Sequence, residues 1–312
     1  MNPLTSIFGV GVRLKNTLHD RGVFRSKKLQ GPVISVGNLS VGGSGKTPFV
    51  LMLGELLKAR GIKFDVLSRG YGRQTRGVAL VDPSGSAREF GDEPLLVARR
   101  LGVPVIVGES RYEAGVFAEQ KFGPQFHLLD DGFQHRALAR DFDIVLFTAE
   151  DSRDQLLPSG RLREPLTSLR RADAIVPINV PSSGPFNAKA LWEVRRGILA
   201  RNVPSRPLVF CGIARPQSFV SQLRSAGIEP LAEKFYRDHH AYSEADVREL
   251  LEMLRQSGAG GFVTTEKDAI NLGRHLSALE PLSVVPVQME LVNAANAVDT
   301  MLSKIAERKR PA

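Results

Sequence analysis

The chain has 312 residues, 42% of them hydrophobic, so it is long enough for one large domain or two ordinary domains with their own cores. Its 42 lysines and arginines outnumber 33 aspartates and glutamates, and the net charge of +9 suits a polyanionic partner: a nucleic acid, an anionic membrane surface or a phosphorylated substrate. The single cysteine, Cys211, excludes an intrachain disulfide and fits a reducing compartment. No apolar stretch approaches the ~20 residues of a membrane-spanning helix.

The first 30 residues combine apolar side chains at roughly helical spacing with a basic side. The apolar set is Leu4, Ile7, Phe8, Leu14 and Leu18, and the basic set is Arg13, Lys15, Arg21, Arg25, Lys27 and Lys28. This pattern predicts an amphipathic segment over residues 1–30 that lies in a membrane interface. A helix packed on the domain is the alternative, and the segment lacks the apolar core and cleavage site of a secretory signal.

Residues 33 to about 150 alternate between apolar strand-like runs and helical patterns. The predicted strands are Val33–Val36, Phe64–Leu67, Val105–Val107, Phe126–Leu129 and Ile144–Phe147, and the predicted helices are Pro48–Arg60, Glu93–Leu101 and Tyr112–Lys121. This alternation predicts an α/β core domain over residues 31–185, with a mostly parallel sheet and helices on both faces. Ligands of such sheets gather at the carboxyl ends of the strands.

A second, smaller α/β domain is predicted over residues 186–312. Proline, serine, glycine and charged residues are frequent in residues 182–206, which marks the boundary. Beyond it, strands are predicted at Leu208–Cys211, Gly261–Thr264 and Leu282–Val287, and helices at Pro216–Ala226, Glu244–Gln256 and Val292–Arg308. Cys211 lies in one of these strand-like runs, which favours buried packing over catalysis.

A glycine-rich loop follows the first predicted strand and precedes the first predicted core helix. The nucleotide-binding segment consists of Ser40, Val41, Gly42, Gly43, Ser44, Gly45, Lys46, Thr47 and Pro48. Glycines let the backbone wrap an anion without Cβ clashes, and the helix N-terminus adds partial positive charge. We expect Lys46 to reach the β- and γ-phosphates and the Thr47 hydroxyl to ligate Mg²⁺. A simple helix cap is the alternative, and Ser40 departs from the general pattern, which opens with glycine.

Two adjacent carboxylates, Asp130 and Asp131, end an apolar strand and precede Gly132. Such a position suits the metal-holding carboxylate of a kinase or NTPase. Because side chains alternate along a strand, the two cannot face a metal in the same way, so one is expected to bind Mg²⁺ directly and the other through water or a neighbour. A solvated turn is the alternative, since Asp-Gly is common in turns.

Three further clusters are richer in polar residues and glycine than packing requires, and a fourth segment resembles a helix start. Ser68–Arg73 follows the second strand, and its two arginines could clamp a phosphate or sugar hydroxyls. Asp92 precedes a helix, and its local pattern favours an N-cap. Residues 235–242 place His239 and His240 beside Asp238, which suggests a general base more than a zinc site. Thr264–Asp268 reads as a helix start capped by Thr265, with no chemistry assigned.

Taken in order, these motifs resemble the tetraacyldisaccharide 4′-kinase family of Gram-negative bacteria. The resemblance rests on residues 36–38 and 41–48 (Val-Gly-Asn and Val-Gly-Gly-Ser-Gly-Lys-Thr-Pro), 68–72 (Ser-Arg-Gly-Tyr-Gly), 91–94 (Gly-Asp-Glu-Pro), 130–135 (Asp-Asp-Gly-Phe-Gln-His), 160–165 (Gly-Arg-Leu-Arg-Glu-Pro) and 238–240 (Asp-His-His). It implies a P-loop enzyme with a smaller C-terminal domain and an N-terminal amphipathic helix. Ser40 agrees with the hydroxyl residue that this family tends to use there.

The resemblance also implies an activity and a set of residue roles. ATP and Mg²⁺ would phosphorylate the 4′-hydroxyl of a tetraacylated glucosamine disaccharide 1-phosphate, giving lipid IV-A, with Asp92 and His239 as the dyad that deprotonates the hydroxyl. In this reading the lysine of the loop, Lys46, is also catalytic, and the dyad replaces the cap interpretation of Asp92. The remaining implied sites are Asp131 near Mg²⁺, Asp130 near the phosphates, Glu164 near the nucleotide, and Arg69, Gln134, His135 and Arg163 on the sugar headgroup.

The same resemblance implies a peripheral enzyme on the cytoplasmic face of the inner membrane, without a transmembrane helix, a nucleic-acid ligand or an obligate protein partner. The alternative is a P-loop GTPase or ATPase switch that regulates a protein partner, although the Asn-Lys-x-Asp element typical of guanine specificity is absent from the sequence. A nucleic-acid-binding ATPase should interleave aromatic and basic residues, and aromatic residues make up only 7% of the chain.

Overall fold

A computed structural model describes residues 3–180, 186 and 190–309. The first element is helix α1 (Pro3–Asp20), which contacts the rest of the protein through a few small and polar residues. Thr5 and Gly9 are buried, and a Cβ at Gly9 would lie 3.1 Å from Leu156. Within the described ranges, no helix is both long and apolar enough to cross a membrane.

The described part of the core domain contains a seven-stranded sheet in the order β3-β4-β2-β5-β1-β6-β7. Every neighbouring pair is parallel except β3 with β4, which lies at one edge. The strands are β1 (Val33–Asn38), β2 (Phe64–Ser68), β3 (Ala79–Leu80), β4 (Val105–Val107), β5 (Phe126–Asp130), β6 (Phe142–Thr148) and β7 (Ala174–Ile178).

Helices cover both faces of this sheet because its buried strands carry apolar side chains on both faces. Ile34 and Val36 pack in one cluster with α2 and α4, whereas Val33 packs in a separate cluster with α5. Both faces therefore bury apolar side chains, as a parallel sheet requires. The helices are α2 (Lys46–Ala59), α3 (Ala87–Phe90), α4 (Asp92–Leu101) and α5 (Arg111–Phe122), with a 3₁₀ helix at Leu166–Arg171.

The rest of the described chain forms a smaller sheet and a two-stranded ribbon. The strands are β8 (Val194–Ile198), β9 (Leu208–Cys211), β10 (Ala232–Phe235), β11 (Phe262–Thr265), β12 (Leu282–Val285) and β13 (Val287–Leu291). The helices are α6 (Pro216–Ser225), α7 (Glu244–Ser257), α8 (Glu266–Leu272) and α9 (Ala294–Lys309), with a 3₁₀ helix at Gly273–Ala278. The sheet is parallel in the order β10-β9-β11-β12, and β8 pairs with β13 in antiparallel fashion.

The C-terminal segment returns to the core domain. Val298 and Met301 of α9 are fully buried in the same apolar cluster as the β1 and α2 side chains. Near the end of α9, Arg308 forms an ion pair with Asp173 at 2.6 Å. The division at residues 185 and 186 remains a prediction and partly falls outside the described residues, but α9 packs on the core domain rather than with the small sheet.

The predicted elements correspond to observed ones with small shifts. The continuous strand predicted at Leu282–Val287 is wrong: β12 ends at Val285 and β13 begins at Val287, so Pro286 separates two strands in different sheets. Proline cannot donate a ladder hydrogen bond, which explains the break. Sequence patterns also did not predict β3, β7, β8 or β10. Cys211 is buried in β9, and burial raises its pKa to about 12, consistent with a packing role.

Candidate active site

The glycine-rich loop connects β1 to α2 at the carboxyl edge of the large sheet. Gly45 precedes α2 with φ 89° and ψ 22°, a left-handed conformation that favours glycine, and no side chain caps the helix. The first N–H groups of α2 are thus free of side-chain caps, as in an anion-binding helix terminus. The Ser44 hydroxyl is buried without a hydrogen-bond partner among the described residues.

Side chains from the second half of the chain pack directly on this loop. A Cβ at Gly43 would lie 2.8 Å from Cγ of Arg215, and a Cβ at Gly45 would lie 2.5 Å from Cε of Met289. Arg215 donates to Glu150 at 3.0 Å and reaches Thr148, at the end of β6, at 3.4 Å. Glycine is therefore favoured at both positions by their left-handed backbone, with φ 58° at Gly43 and 89° at Gly45, and at Gly43 also by the close approach of Arg215.

Lys46 lies in a polar cluster at the ends of β1 and β5. Its Nζ donates to Oδ1 of Asn38 at 3.2 Å and lies 3.5 Å from Oδ1 of Asp131. Arg163 donates to both carboxylate oxygens of Asp131, each at 2.8 Å, and also to Asn38. The register that pairs Val36 with Asp130 brings these strand ends together.

The two adjacent aspartates differ in environment, because Asp130 is the last residue of β5 and Asp131 follows the strand with φ 50°. Asp130 ends β5 and accepts from Ser68 at 3.3 Å, while its Oδ1 is buried without a hydrogen-bond partner. Burial, with the charges of Glu93 and Asp131, raises the pKa of Asp130 to about 7. Burial also acts to raise the pKa of Asp131, but Lys46 and Arg163 outweigh it and hold that pKa below its usual range. Asp131 is therefore the ionised member of the pair at neutral pH.

Asp92 and His239 are 147 residues apart in the chain and in direct contact. His239 Nδ1 lies 3.0 Å from Oδ1 and 2.9 Å from Oδ2 of the Asp92 carboxylate. The N-cap of α4 is Gly91, so the N-cap interpretation of Asp92 is wrong; besides the His239 contact, its Oδ1 accepts from the adjacent Glu93 N–H at 2.8 Å. Burial acts to raise the pKa of Asp92, but the His239 hydrogen bond and the charge of Lys267 outweigh it and lower that pKa.

The loop after β10 presents the two neighbouring histidines to different carboxylates. His239 has φ 58°, and its backbone N–H donates to the Gly212 carbonyl at 3.2 Å. His240 stacks on Tyr236 at 4.5 Å between centroids and lies 3.2 Å from Asp246. In the described ranges, no group of three or more His, Cys, Asp or Glu side chains is arranged to hold a metal ion.

Two residues without a role in the sequence interpretation complete the cluster around Asp92. Lys267 Nζ donates to Asp238 at 2.8 Å and lies 3.2 Å from Nε2 of His239. Asn271 Nδ2 donates to Oδ2 of Asp92 at 2.9 Å. Both belong to α8, where Thr265 is the N-cap and accepts from the Asp268 N–H, as predicted. The local sequence carries no signal of these contacts, because Lys267 contacts residues 28 and 29 positions away and Asn271 contacts one 179 positions away.

The proposed headgroup residues lie around the Asp131 cluster. Gln134 Nε2 donates to the Asn38 carbonyl at 2.8 Å, and Arg69 is exposed. Burial and the charge of Arg111 lower the pKa of His135 to about 4, so its imidazole is neutral. The sequence interpretation missed Arg111, which is buried and whose Nε has no hydrogen-bond partner among the described residues. Both aspartates are close enough to act on its pKa. Its only sequence signal is a basic residue at a helix start.

Glu164 has partners other than the phosphate loop. Both of its oxygens accept from Arg171, at 2.8 and 3.0 Å, and Oε2 also accepts from Asn16 of α1 at 2.7 Å. Burial acts to raise the pKa of Glu164, but these hydrogen bonds outweigh it and lower that pKa. The expected position of Glu164 near a nucleotide stays a prediction; its observed contacts join α1 to the core.

Comparison with known proteins identifies the family. The family model described as tetraacyldisaccharide-1-P 4'-kinase (LpxK) matches residues 1–307. The chain belongs to this family. The family and the enzyme class predicted from the motifs, a phosphotransferase with an alcohol acceptor, are confirmed, and the regulatory-switch alternative is not favoured.

Individual relatives match over nearly the whole chain. The tetraacyldisaccharide 4'-kinase of Koribacter versatilis is 50% identical over 324 residues, covering 99% of this chain and 100% of that protein. The enzyme of the same name from Geobacter metallireducens is 36% identical and covers 96% and 95% of the two chains. A crystal structure of the "apo" form of LpxK from Aquifex aeolicus in complex with ATP matches with a TM-score of 0.80 and 34% identity over 97% of each chain. The predicted α/β fold is thus confirmed.

Proposed function

We propose that the chain transfers the γ-phosphoryl group of ATP to the 4′-hydroxyl of a tetraacylated glucosamine disaccharide 1-phosphate, which yields lipid IV-A. The observation that carries this proposal is the contact of Asp92 with His239, at 2.9 Å, beside a phosphate loop. The dyad lies near the loop, since the His239 N–H donates to the Gly212 carbonyl at 3.2 Å and Arg215, on the same segment as Gly212, packs on Gly43. A general base next to a phosphate loop is what alcohol phosphorylation requires.

Lys46, Thr47 and Asp131 are the residues that would hold ATP and Mg²⁺. The donor set fits this role, since Lys46 is a cation at the start of α2 and Asp131 is an ionised carboxylate beside it. Oδ1 of Asp130 and the Ser44 hydroxyl, which have no hydrogen-bond partner among the described residues, add polar groups to this site. Magnesium uses few protein carboxylates and takes its other ligands from phosphate and water, so one aspartate and one hydroxyl suffice. When bound, the ion neutralises charge on the phosphates.

The dyad would act on the acceptor hydroxyl. Asp92 holds the Nδ1–H of His239, which leaves Nε2 to accept a proton. Burial acts to lower the pKa of His239, but the Asp92 hydrogen bond outweighs it, so the imidazole is more basic than usual. The proton leaves the hydroxyl for Nε2 as the hydroxyl oxygen attacks the phosphoryl group.

Cations near Asp131 would bind the phosphorylated headgroup. Arg69 and Arg163 are the arginines of this set, and Arg111 adds a buried guanidinium whose Nε has no hydrogen-bond partner. Guanidinium groups bind phosphate oxygens in bidentate fashion. Gln134 and neutral His135 would supply neutral hydrogen bonds to sugar oxygens.

Helix α1 would place the enzyme on an anionic membrane surface, at the cytoplasmic face of the inner membrane. Its outer face exposes Leu4, Ile7, Val10 and Leu14, each between 58% and 68% exposed. Exposed apolar side chains at this spacing, with basic residues beside them, are typical of interfacial helices. No nucleic acid and no obligate protein partner are part of the proposal.

The kinase proposal is tested by incubating the protein with ATP, Mg²⁺ and the disaccharide 1-phosphate lipid. The expected product is heavier by one phosphate, and its position on the 4′-oxygen is checked by NMR. Absence of this product with folded protein would contradict the proposal.

The membrane proposal is tested by sedimentation with anionic vesicles. An Ile7→Glu variant should bind less tightly, because it places a charge on the exposed apolar face. Ser6→Glu adds the same charge at a neighbouring exposed polar position and is the matched control. Equal loss in both variants would indicate a purely electrostatic attraction, and no loss in either would contradict the interfacial helix.

A further inference from the structure

Lys267 is a cation that contacts both members of the Asp92–His239 dyad. Neither the motifs nor the family comparison assigns it a role. Its Nζ lies 2.8 Å from Asp238, 3.2 Å from Nε2 of His239 and 3.9 Å from Asp92. The side chain is only 16% exposed. It reaches these groups from α8; Asp238 and His239 precede α8 in the same half of the chain, and Asp92 lies in the other half.

Lys267 remains an ammonium in this environment. Burial acts to lower its pKa, but the carboxylates of Glu93, Asp92 and Asp238 outweigh burial and raise that pKa. An ammonium group has three N–H donors and no acceptor. The contact at 3.2 Å therefore requires Nε2 of His239 to be the acceptor.

This contact assigns the tautomer of the imidazole. Nε2 accepts from Lys267, so it carries no proton, and Nδ1–H donates to Asp92. A second proton on Nε2 would face the Lys267 ammonium and be repelled by it. The base thus has its lone pair directed away from Asp92, where a hydroxyl can reach it.

We propose that Lys267 is a positioning residue of the kinase reaction: it keeps Nε2 of His239 unprotonated and oriented until the acceptor hydroxyl replaces its N–H at that nitrogen. The proposal rests on the proposed function of the dyad. During transfer the hydroxyl O–H bond breaks, its proton bonds to Nε2, and its oxygen bonds to phosphorus as the bond to the leaving nucleotide breaks. Lys267 keeps its hydrogen bond to Asp238, so its charge stays beside the reaction centre.

The groups that face His239 come from four segments. Asp92 lies on α4, Asp238 precedes the histidine itself, Lys267 lies on α8, and the Tyr71 ring lies 5.2 Å away on the loop after β2. The carboxylates favour the imidazolium, whereas Lys267 is the cation in this set that opposes it. Removing Lys267 should therefore raise the pKa of His239.

The first experiment measures kcat/KM against pH for Lys267→Met, Lys267→Gln and Lys267→Arg. Loss of the charge should move the acidic limb of the profile upward by roughly one to three pH units. Activity at neutral pH then falls about ten-fold per unit and recovers at alkaline pH. Lys267→Arg keeps the charge and should keep the limb in place. A loss of equal factor at every pH would overturn the proposal and leave Lys267 as a structural contact.

The second experiment measures the His239 pKa directly, by NMR of the full-length protein with labelled histidine. The chain has six histidines, and a His239→Gln sample assigns the signal. Lys267→Met should raise this pKa, or Lys267→Gln if the methionine variant does not fold. An unchanged pKa would overturn the proposal. Because this titration needs no substrate, it separates failure of the Lys267 proposal from failure of the kinase activity itself.

Lys234→Met is the matched control for both experiments. Lys234 forms an ion pair with Glu249 in the same half of the chain and has no described contact with the dyad. Its loss removes one lysine–carboxylate pair without touching His239. Its pH profile and His239 titration should coincide with those of the unmodified protein; a shift equal to that of Lys267→Met would indicate a general charge effect and contradict the assignment to Lys267.

Discussion

The site has two sides that are built in different ways. The phosphate side consists of residues 38–48, Asp130, Asp131 and Arg163, and most of it lies at the ends of the adjacent strands β1 and β5. The hydroxyl side consists of Asp92, Glu93, Asp238, His239, Lys267 and Asn271, which come from three segments and both halves of the chain. One side depends on a local motif and the other on docking of the two halves.

This difference suggests how each side responds to change. The phosphate side is organised by backbone and by neighbouring strands, so one side-chain substitution removes one contact and leaves the loop in place. The hydroxyl side is held by hydrogen bonds between α4 and α8, such as Asn271 to Asp92. Substitutions there should affect the acceptor step while leaving nucleotide binding unchanged.

The largest effect is expected at Lys46, on the phosphate side. Lys46→Ala removes a cation that lies 3.5 Å from Asp131 and should lower kcat by roughly 10²- to 10³-fold, the range found for loss of one charge-stabilising donor. Steady-state kinetics with ATP and the lipid measures the effect. Lys63→Ala, an exposed lysine at the opposite end of β2, should retain full activity. A kcat within ten-fold of normal would contradict the assigned role of Lys46.

Asp92→Asn is expected to have the next largest effect, and it tests the hydroxyl side. The amide keeps the shape of the side chain but cannot stabilise the imidazolium, so kcat should fall by about 10²-fold. The KM for ATP should stay unchanged, because Asp92 has no described contact with the phosphate loop. Asp299→Asn, which alters an exposed carboxylate on α9, is the control. A near-normal kcat would contradict the role of Asp92 in the dyad and leave it only a structural role at the start of α4.

The two sides also differ in how well they could be predicted. The loop and the carboxylate pair were predictable because motif, strand and helix are contiguous, and α2 begins two residues before its predicted start. Lys267 and Asn271 could not be predicted from pattern, because Thr264–Asp268 is fully explained locally as a helix start. Their contacts with Asp92 and His239 depend on how α4 and α8 dock, which no local pattern specifies.

The fold was predictable where strands are buried and apolar, and less so at the edges. Pro177 in β7 disfavours a strand, yet it is tolerated because β7 lies at the edge of the large sheet. β10 (Ala232–Phe235) is half-buried and contains Glu233 and Lys234, so its hydrophobic pattern is weak. Helix α9 packs on the core domain, far from it in sequence. Its amphipathic pattern predicts a helix but not the surface on which that helix packs.

Asn271→Ala should have a smaller effect than either substitution above. It removes one hydrogen bond to a charged carboxylate, at 2.9 Å, which corresponds to about 1.5 kcal/mol and roughly a ten-fold loss in kcat/KM for the lipid. Asp92 keeps its His239 contact, so the dyad survives. The KM for ATP serves as the internal control. If the KM for ATP rises by as large a factor as kcat/KM for the lipid falls, the hydroxyl side also affects nucleotide binding, and the two sides are not independent.

The smallest effect on activity is expected at the contact between α1 and the core. Asn16→Ala removes the hydrogen bond to Glu164, which keeps both of its bonds to Arg171. The free energy of unfolding should fall by roughly 1 kcal/mol, measured by urea denaturation, while kcat with detergent-dispersed lipid stays within about two-fold. Glu164 follows Arg163 in the chain, and Arg163 holds Asp131. A fall in kcat comparable to that of Asn271→Ala would therefore mean that α1 acts on the phosphate side through Arg163 and Glu164. Helix α1 would then contribute to catalysis as well as to membrane attachment.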